Sequence, residues 1–407
     1  MEAPDQVNAF LMAGVLAPGG PVGIDGRVDV AALRDAIRAL LPEAPRLGER
    51  VVRDGRGYVW EPVAPDLRRH VRTVDAVDGV PGLEALCARL MVTPLPLDRP
   101  LWELLLVPGV APERTGVVFR IQHAMADGLA AVRLVEVLLR ADGSRSADAA
   151  QPQRPPAAGP VRGRDRGARL RSLASGWRRT LEMFRRAVPP TALLGPIGPR
   201  RGVAFVDAPI GPIAAGAAAV GATVNDALLS AAAVGAEAAL RERGEPMPPV
   251  LPASVPVALA DRGRSGNAVG VMLVPVPTGV ADPAARLRRV AESTRNRKAD
   301  ARARGSFELT RTHFGTRVFR RLARHQRLVV MFVTNVPGPR HPLALAGAPL
   351  ERVWPLAAIQ GNVRLGVAAI SYEGMLRCAV HCDADAVSAP VVADALRREL
   401  GRIAALA

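Results

Sequence analysis

From Val117 to Arg140 the chain reads as strand, turn and helix, and the turn carries a histidine. The apolar run Val117, Val118, Phe119 and Ile121 stops at His123. Asp127-Gly128 follow, and a helical pattern from Leu129 to Arg140 then faces Leu134, Val137 and Leu138 inward. A strand feeding a helix through a short turn fits an α/β architecture, because each element hides its apolar side against the other. The same turn sets an imidazole at the end of a strand, and histidine is the side chain best suited to move a proton near neutral pH. His-x-x-x-Asp-Gly also arises by chance. From these residues alone two readings stand together: a catalytic base at a cleft, or a His closing a strand beside an Asp near a helix start.

The rest of the chain repeats the α/β pattern. Within residues 1–140, residues 29–41 carry a helical stripe (Val30, Leu33, Ile37, Leu40, Leu41) closed by Pro42, and 83–91 carry another. Leu104 to Val107 reads as a strand. Residues 141–161, rich in Ala, Pro, Asp and Ser, read as a linker. From 162 to 188, Leu170, Leu173, Trp177, Leu181, Phe184 and Val188 recur at helical spacing among many arginines. This basic amphipathic segment suits either docking on the protein itself or contact with an anionic membrane or lipid droplet. Residues 201–407 read as a second α/β unit. Thr223 caps a helix from Val224 to about Arg243. Strands are expected near 253–259, 269–276, 329–335, 363–370 and 374–382, with helices at 283–298 and from Ala389 to about Ala405.

Length and charge narrow the function. With 407 residues the chain can build two cores. No apolar stretch reaches the roughly 20 residues of a membrane span. The acidic start Met1-Glu2-Ala3-Pro4-Asp5 lacks a basic leader. A cytoplasmic protein, with peripheral membrane contact through 162–188, is therefore expected. Cys87, Cys378 and Cys382 have no metal-like spacing, so no metal site is expected. Net charge is +16, but 14 arginines against four acidic residues between Arg140 and Arg201 hold most of the excess. A local basic element with few aromatics argues against a nucleic-acid footprint. A G-x-S-x-G elbow, a Walker A loop and a G-x-G-x-x-G turn are all missing, which removes Ser-hydrolase and nucleotide-binding readings.

Six segments in order resemble the bacterial wax ester synthase/diacylglycerol acyltransferase family, and the likeness spans most of the chain. They are Pro100-Leu101-Trp102-Glu103; Gln122-His123-Ala124-Met125-Ala126-Asp127-Gly128; Thr223-Val224-Asn225-Asp226; the stretch from Gly266-Asn267 to Arg286-Leu287; Thr334-Asn335-Val336-Pro337-Gly338-Pro339; and Pro342-Leu343 through Ser371-Tyr372-Glu373-Gly374. The resemblance implies two chloramphenicol-acetyltransferase-like domains, with mixed sheets flanked by helices and a tunnel between them. It implies an O-acyltransferase with acyl-coenzyme A as donor substrate, a hydroxyl acceptor, no resident cofactor and no covalent acyl-enzyme. His123 is then the general base. Asn225 is a candidate oxyanion donor or, equally, a helix-cap element. Asp127, Gly128 and Asp226 are structural, and Pro100, Leu101, Trp102 and Asn335 shape or flank the tunnel, although Trp102 reads at least as well as an ordinary core residue.

The chain departs from the family pattern in three places. Gln122 stands for the first His of the motif and cannot act as a base at pH 7. Ala260 stands where the family often has an Arg, leaving Arg262 as the nearest partner for Asp127. Pro4-Asp5 and Phe10-Leu11 match the family's start, but its Met-His-containing stretch is missing. These departures keep two other functions open: a condensation-like enzyme of secondary metabolism fed by a carrier protein, and an inactive lipid-binding relative.

Overall fold

The computed structural model describes residues 7–55, 57–125, 134–135, 137–140, 188–258, 269–304, 323–339 and 341–407. Asp127, Gly128, Ala260, Arg262, the 141–161 linker and the basic segment from 162 to 187 lie outside them. Two six-stranded sheets form the frame. In chain order the first half supplies β1 (Ala9–Leu16), α1 (Val30–Leu40), β2 (Glu49–Asp54), β3 (Gly57–Pro62), α2 (Leu67–His70), β4 (Val71–Thr73), α3 (Gly79–Leu90), β5 (Trp102–Ala111) and β6 (Arg114–Gln122). The second half supplies β7 (Arg201–Pro209), α4 (Ile210–Ala219), α5 (Val224–Glu242), β8 (Val250–Ala258), β9 (Val269–Pro277) and α6 (Pro283–Arg304). It ends with β10 (Met331–Val336), β11 (Ala344–Leu345), β12 (Ala348–Leu356), β13 (Leu365–Tyr372), β14 (Met375–Asp383) and α7 (Ala389–Ala404).

The helix ends follow from their caps. Asp29 accepts the Ala31 and Ala32 N–H groups at 3.0 Å each and starts α1, which buries Leu33 and Ile37. Thr223 and Asp226 close a reciprocal capping box at the start of α5. Expected and observed bounds of α5 agree to one residue, because this cap is local chemistry. Among the described residues no single helix is long and apolar enough to cross a membrane. α4 and α5 are long and apolar enough only when taken together, as a pair bent by 97°, and their apolar residues pack a core of the second half.

The first sheet runs β11-β12-β1-β6-β5-β4 and the second β7-β14-β13-β10-β8-β9. Both mix parallel and antiparallel pairs: β4–β5, β8–β10 and β10–β13 are parallel. This is the expected mixed α/β fold. The two halves of the chain share a sheet. β11 and β12 leave the second half and complete the first sheet, with Leu11 opposite Leu356 and Leu16 opposite Leu350. β1 is buried on both faces as a result. Phe10, Met12 and Leu16 enter one core, while Leu11, Ala13 and Val15 enter a second shared with Val203, Phe205, Trp354 and Ala379.

Polar fastenings hold the halves together across that shared core. Trp354 of β12 stacks on Phe205 of β7 with ring centroids 4.4 Å apart and donates to Asp207 Oδ1 at 2.7 Å. Arg377 binds Asp207 Oδ2 at 2.8 Å and the Glu351 carbonyl at 3.0 Å. The Tyr372 hydroxyl donates to the Leu350 carbonyl at 2.7 Å and accepts the Leu343 N–H at 2.9 Å. The end of β13 is thus tied to the strands lent to the first sheet.

His381 of β14 packs in the same layer. Its Nδ1 lies 2.8 Å from the Ala357 carbonyl, which makes Nδ1 the protonated nitrogen, and its Nε2 is buried without a partner. Burial lowers its pKa to about 4. Folding therefore excludes a proton that the unfolded imidazole binds below about 6.5. Stability is full above pH 6.5 and falls as pH drops toward 4, by about 3 kcal/mol from this group. Urea midpoints measured from pH 7 to 4 should fall across that window, and His381→Leu should flatten the fall. An equal acid loss in the variant would assign it to other groups.

Candidate active site

The β5–β6 pair brings two of the sequence motifs together. Trp102, the first residue of β5, lies opposite Ile121 of β6, and the Leu101 carbonyl accepts the Gln122 N–H at 2.9 Å. His123 follows at once. Its N–H donates to the Asn8 carbonyl at 2.8 Å, at the mouth of β1. Its side chain is exposed and makes no hydrogen bond among the described residues. Gln122 by contrast is buried. Its carbonyl accepts the Met125 N–H at 2.9 Å, and its side-chain Oε1 accepts the Ala124 N–H. The strand thus ends in a closed turn that presents one imidazole outward.

Trp102 lies beneath this turn. Trp102 is 1% exposed and Leu101 is 3% exposed, so both pack in the core beneath the turn. The indole donates to the Leu47 carbonyl at 2.8 Å and stacks on His70 at 4.4 Å. His70 in turn sets Nδ1 2.7 Å from the Trp102 carbonyl, and burial lowers its pKa. Pro100 is buried, and its carbonyl accepts the Trp102 N–H at 2.9 Å. These contacts lock the start of β5 and, through it, the end of β6.

Asn225 and Asp226 belong to the second half. Asp226 Oδ2 accepts from the Thr223 N–H at 2.9 Å and the Thr223 hydroxyl at 2.7 Å. Asn225, one residue earlier, is half-buried, and its amide makes no hydrogen bond among the described residues. Asn335 sits near the end of β10, with Oδ1 buried and without a partner. β8 follows α5 and runs parallel to β10. The turn after Asn335 is held close: a Cβ on Gly338 would lie 1.4 Å from the Ser371 carbonyl oxygen, so only glycine fits.

The structure adds two residues that sequence reasoning passed over. Asn8 takes the His123 N–H, and its Oδ1 accepts from Gln360 Nε2 at 2.7 Å. Gln360 lies in the loop between β12 and β13, so the second half reaches the histidine turn through one side chain. No periodicity or spacing signals a contact between residues so far apart in sequence. Among the described residues no cluster of His, Cys, Asp or Glu could hold a metal ion.

Comparison with known proteins follows the same outline. Residues 1–228 match the model of the wax ester synthase/diacylglycerol acyltransferase catalytic domain, and 265–404 match that of the corresponding C-terminal domain. A putative diacylglycerol O-acyltransferase of Mycobacterium tuberculosis is 29% identical over 354 residues, covering 76% of this chain and 68% of that protein. Another from that species is 30% identical over 341 residues, covering 79% and 72%. Among solved structures, the wax ester synthase/diacylglycerol acyltransferase from Marinobacter aquaeolei VT8 superposes with a TM-score of 0.72 at 21% identity, covering 99% of this chain and 95% of that one. The starter condensation domain of rhizomide synthetase, solved with C8-CoA and Leu-SNAC, gives 0.59 at 18% identity, with 99% and 90% covered.

Proposed function

The chain belongs to the wax ester synthase/diacylglycerol acyltransferase family and is an acyltransferase. On that premise we propose that it moves an acyl group from acyl-coenzyme A to the hydroxyl of a lipophilic alcohol or diacylglycerol, with His123 as general base. The observation that carries this reading is an exposed imidazole, at the motif position the family likeness marks, on a turn whose amide N–H groups from His123 to Met125 are all hydrogen-bonded. His123 takes the proton of the acceptor hydroxyl as its oxygen bonds to the thioester carbonyl carbon. The tetrahedral oxyanion collapses, the carbon–sulfur bond breaks, and the departing thiolate takes the proton back from the imidazolium. Ester and free coenzyme A result, with no covalent enzyme intermediate and no resident cofactor. Asn225, whose amide is uncommitted among the described residues, is the candidate donor to the oxyanion. An interdomain tunnel and membrane contact through 162–188 belong to this same proposal.

A second reading draws on the likeness to condensation domains over nearly the whole chain: the acyl group arrives on a carrier protein instead. One assay separates the two. Purified protein with acyl-coenzyme A and a long-chain alcohol or diacylglycerol should release free thiol and ester in equal amounts. Ester formed only from a carrier-bound thioester selects the second reading, and no transfer from any donor overturns both.

A further inference from the structure

We propose that Gln122 is a positioning residue for His123, holding the turn through its side-chain oxygen; this rests on His123 being the base. Three consecutive backbone donors define the turn. The His123 N–H goes to the Asn8 carbonyl, the Met125 N–H to the Gln122 carbonyl, and the Ala124 N–H, between them, to Gln122 Oε1. With all three satisfied, the main chain beside the imidazole is fixed and only the side-chain torsions of His123 remain free. The amide oxygen does this without any change of protonation state. Its burial, at 8% exposed, removes water as a ready substitute acceptor. Gln122 is therefore an anchor and not a lost second base.

Two variants test the assignment. Gln122→Leu keeps the bulk and removes the acceptor. It should lower kcat by about 10²-fold, the cost of displacing a reacting group by about 1 Å, and leave KM within about threefold because no substrate contact is lost. Gln122→Glu keeps an oxygen at the same reach and should recover most of the lost kcat. Hydrogen exchange provides a readout independent of turnover: the Ala124 amide should exchange about tenfold faster in Gln122→Leu than in the unmodified protein. A Leu variant within twofold of the parent kcat, or with unchanged Ala124 exchange, overturns the proposal, as does a Glu variant as slow as Leu. If the parent protein transfers no acyl group at all, the functional reading fails by itself, and the exchange measurement still decides whether Gln122 holds the turn.

Discussion

His123→Ala is expected to slow ester formation by about 10²- to 10⁴-fold, the range supplied by a positioned general base, while the protein unfolds at the same denaturant concentration as the parent. The second half of that expectation comes from the structure. The His123 side chain is exposed and bonds to no described residue, whereas its backbone N–H, which Ala retains, carries the link to Asn8. Removing the ring therefore deletes a proton acceptor and little packing. Free thiol release from acyl-coenzyme A, followed at saturating alcohol, reads the loss directly. Turnover within a few-fold of the parent would refute the base assignment and move attention to a group in the second half.

The largest stability effect is expected at Arg286. Glu237 and Glu399 are fully buried between α5, α6 and α7, and Arg286 is the buried cation that joins them, 3.1 Å from Glu399 and 3.8 Å from Glu237. The other cations, Arg241 on Glu237 and Arg402 on Glu399, are more than half exposed and contribute less through screening. Arg286→Met leaves each buried carboxylate with only a half-exposed arginine as its ionic partner, a loss of about 3–5 kcal/mol. Denaturant unfolding measures it. Adding Glu237→Gln and Glu399→Gln to Arg286→Met should restore part of the loss, since the uncompensated charges are then gone. A single-variant loss below about 1 kcal/mol would show that the exposed arginines suffice.

What could be read in the sequence was what local chemistry decides. α1, α5, β5, β6 and the β13–β14 hairpin carry their periodicity and caps within one continuous stretch of chain each. β1 carries no such signal: Ala-Phe-Leu-Met-Ala-Gly-Val-Leu is apolar throughout because both of its faces are buried, and an unbroken apolar run fits strand or helix equally. β12 is interrupted by Pro349 and Pro355, and its partner lies at the other end of the chain. The site divides the same way. His123 was legible because a strand visibly stops there. Trp102 was legible both as a motif and as a core residue, but its partners Leu47 and His70 arrive from elsewhere in the chain and were not. Asn8 and Gln360 could be found only by folding the chain.

The loan of β12 to the first sheet has a consequence for synthesis. β1 lies between β6 and β12, so until Leu356 has left the ribosome the nascent amino-terminal half holds a strand with one row of peptide groups unmatched. That half cannot mature as an autonomous co-translational unit. It must wait, guarded from its neighbours on the polysome, for a segment translated long after its own strands.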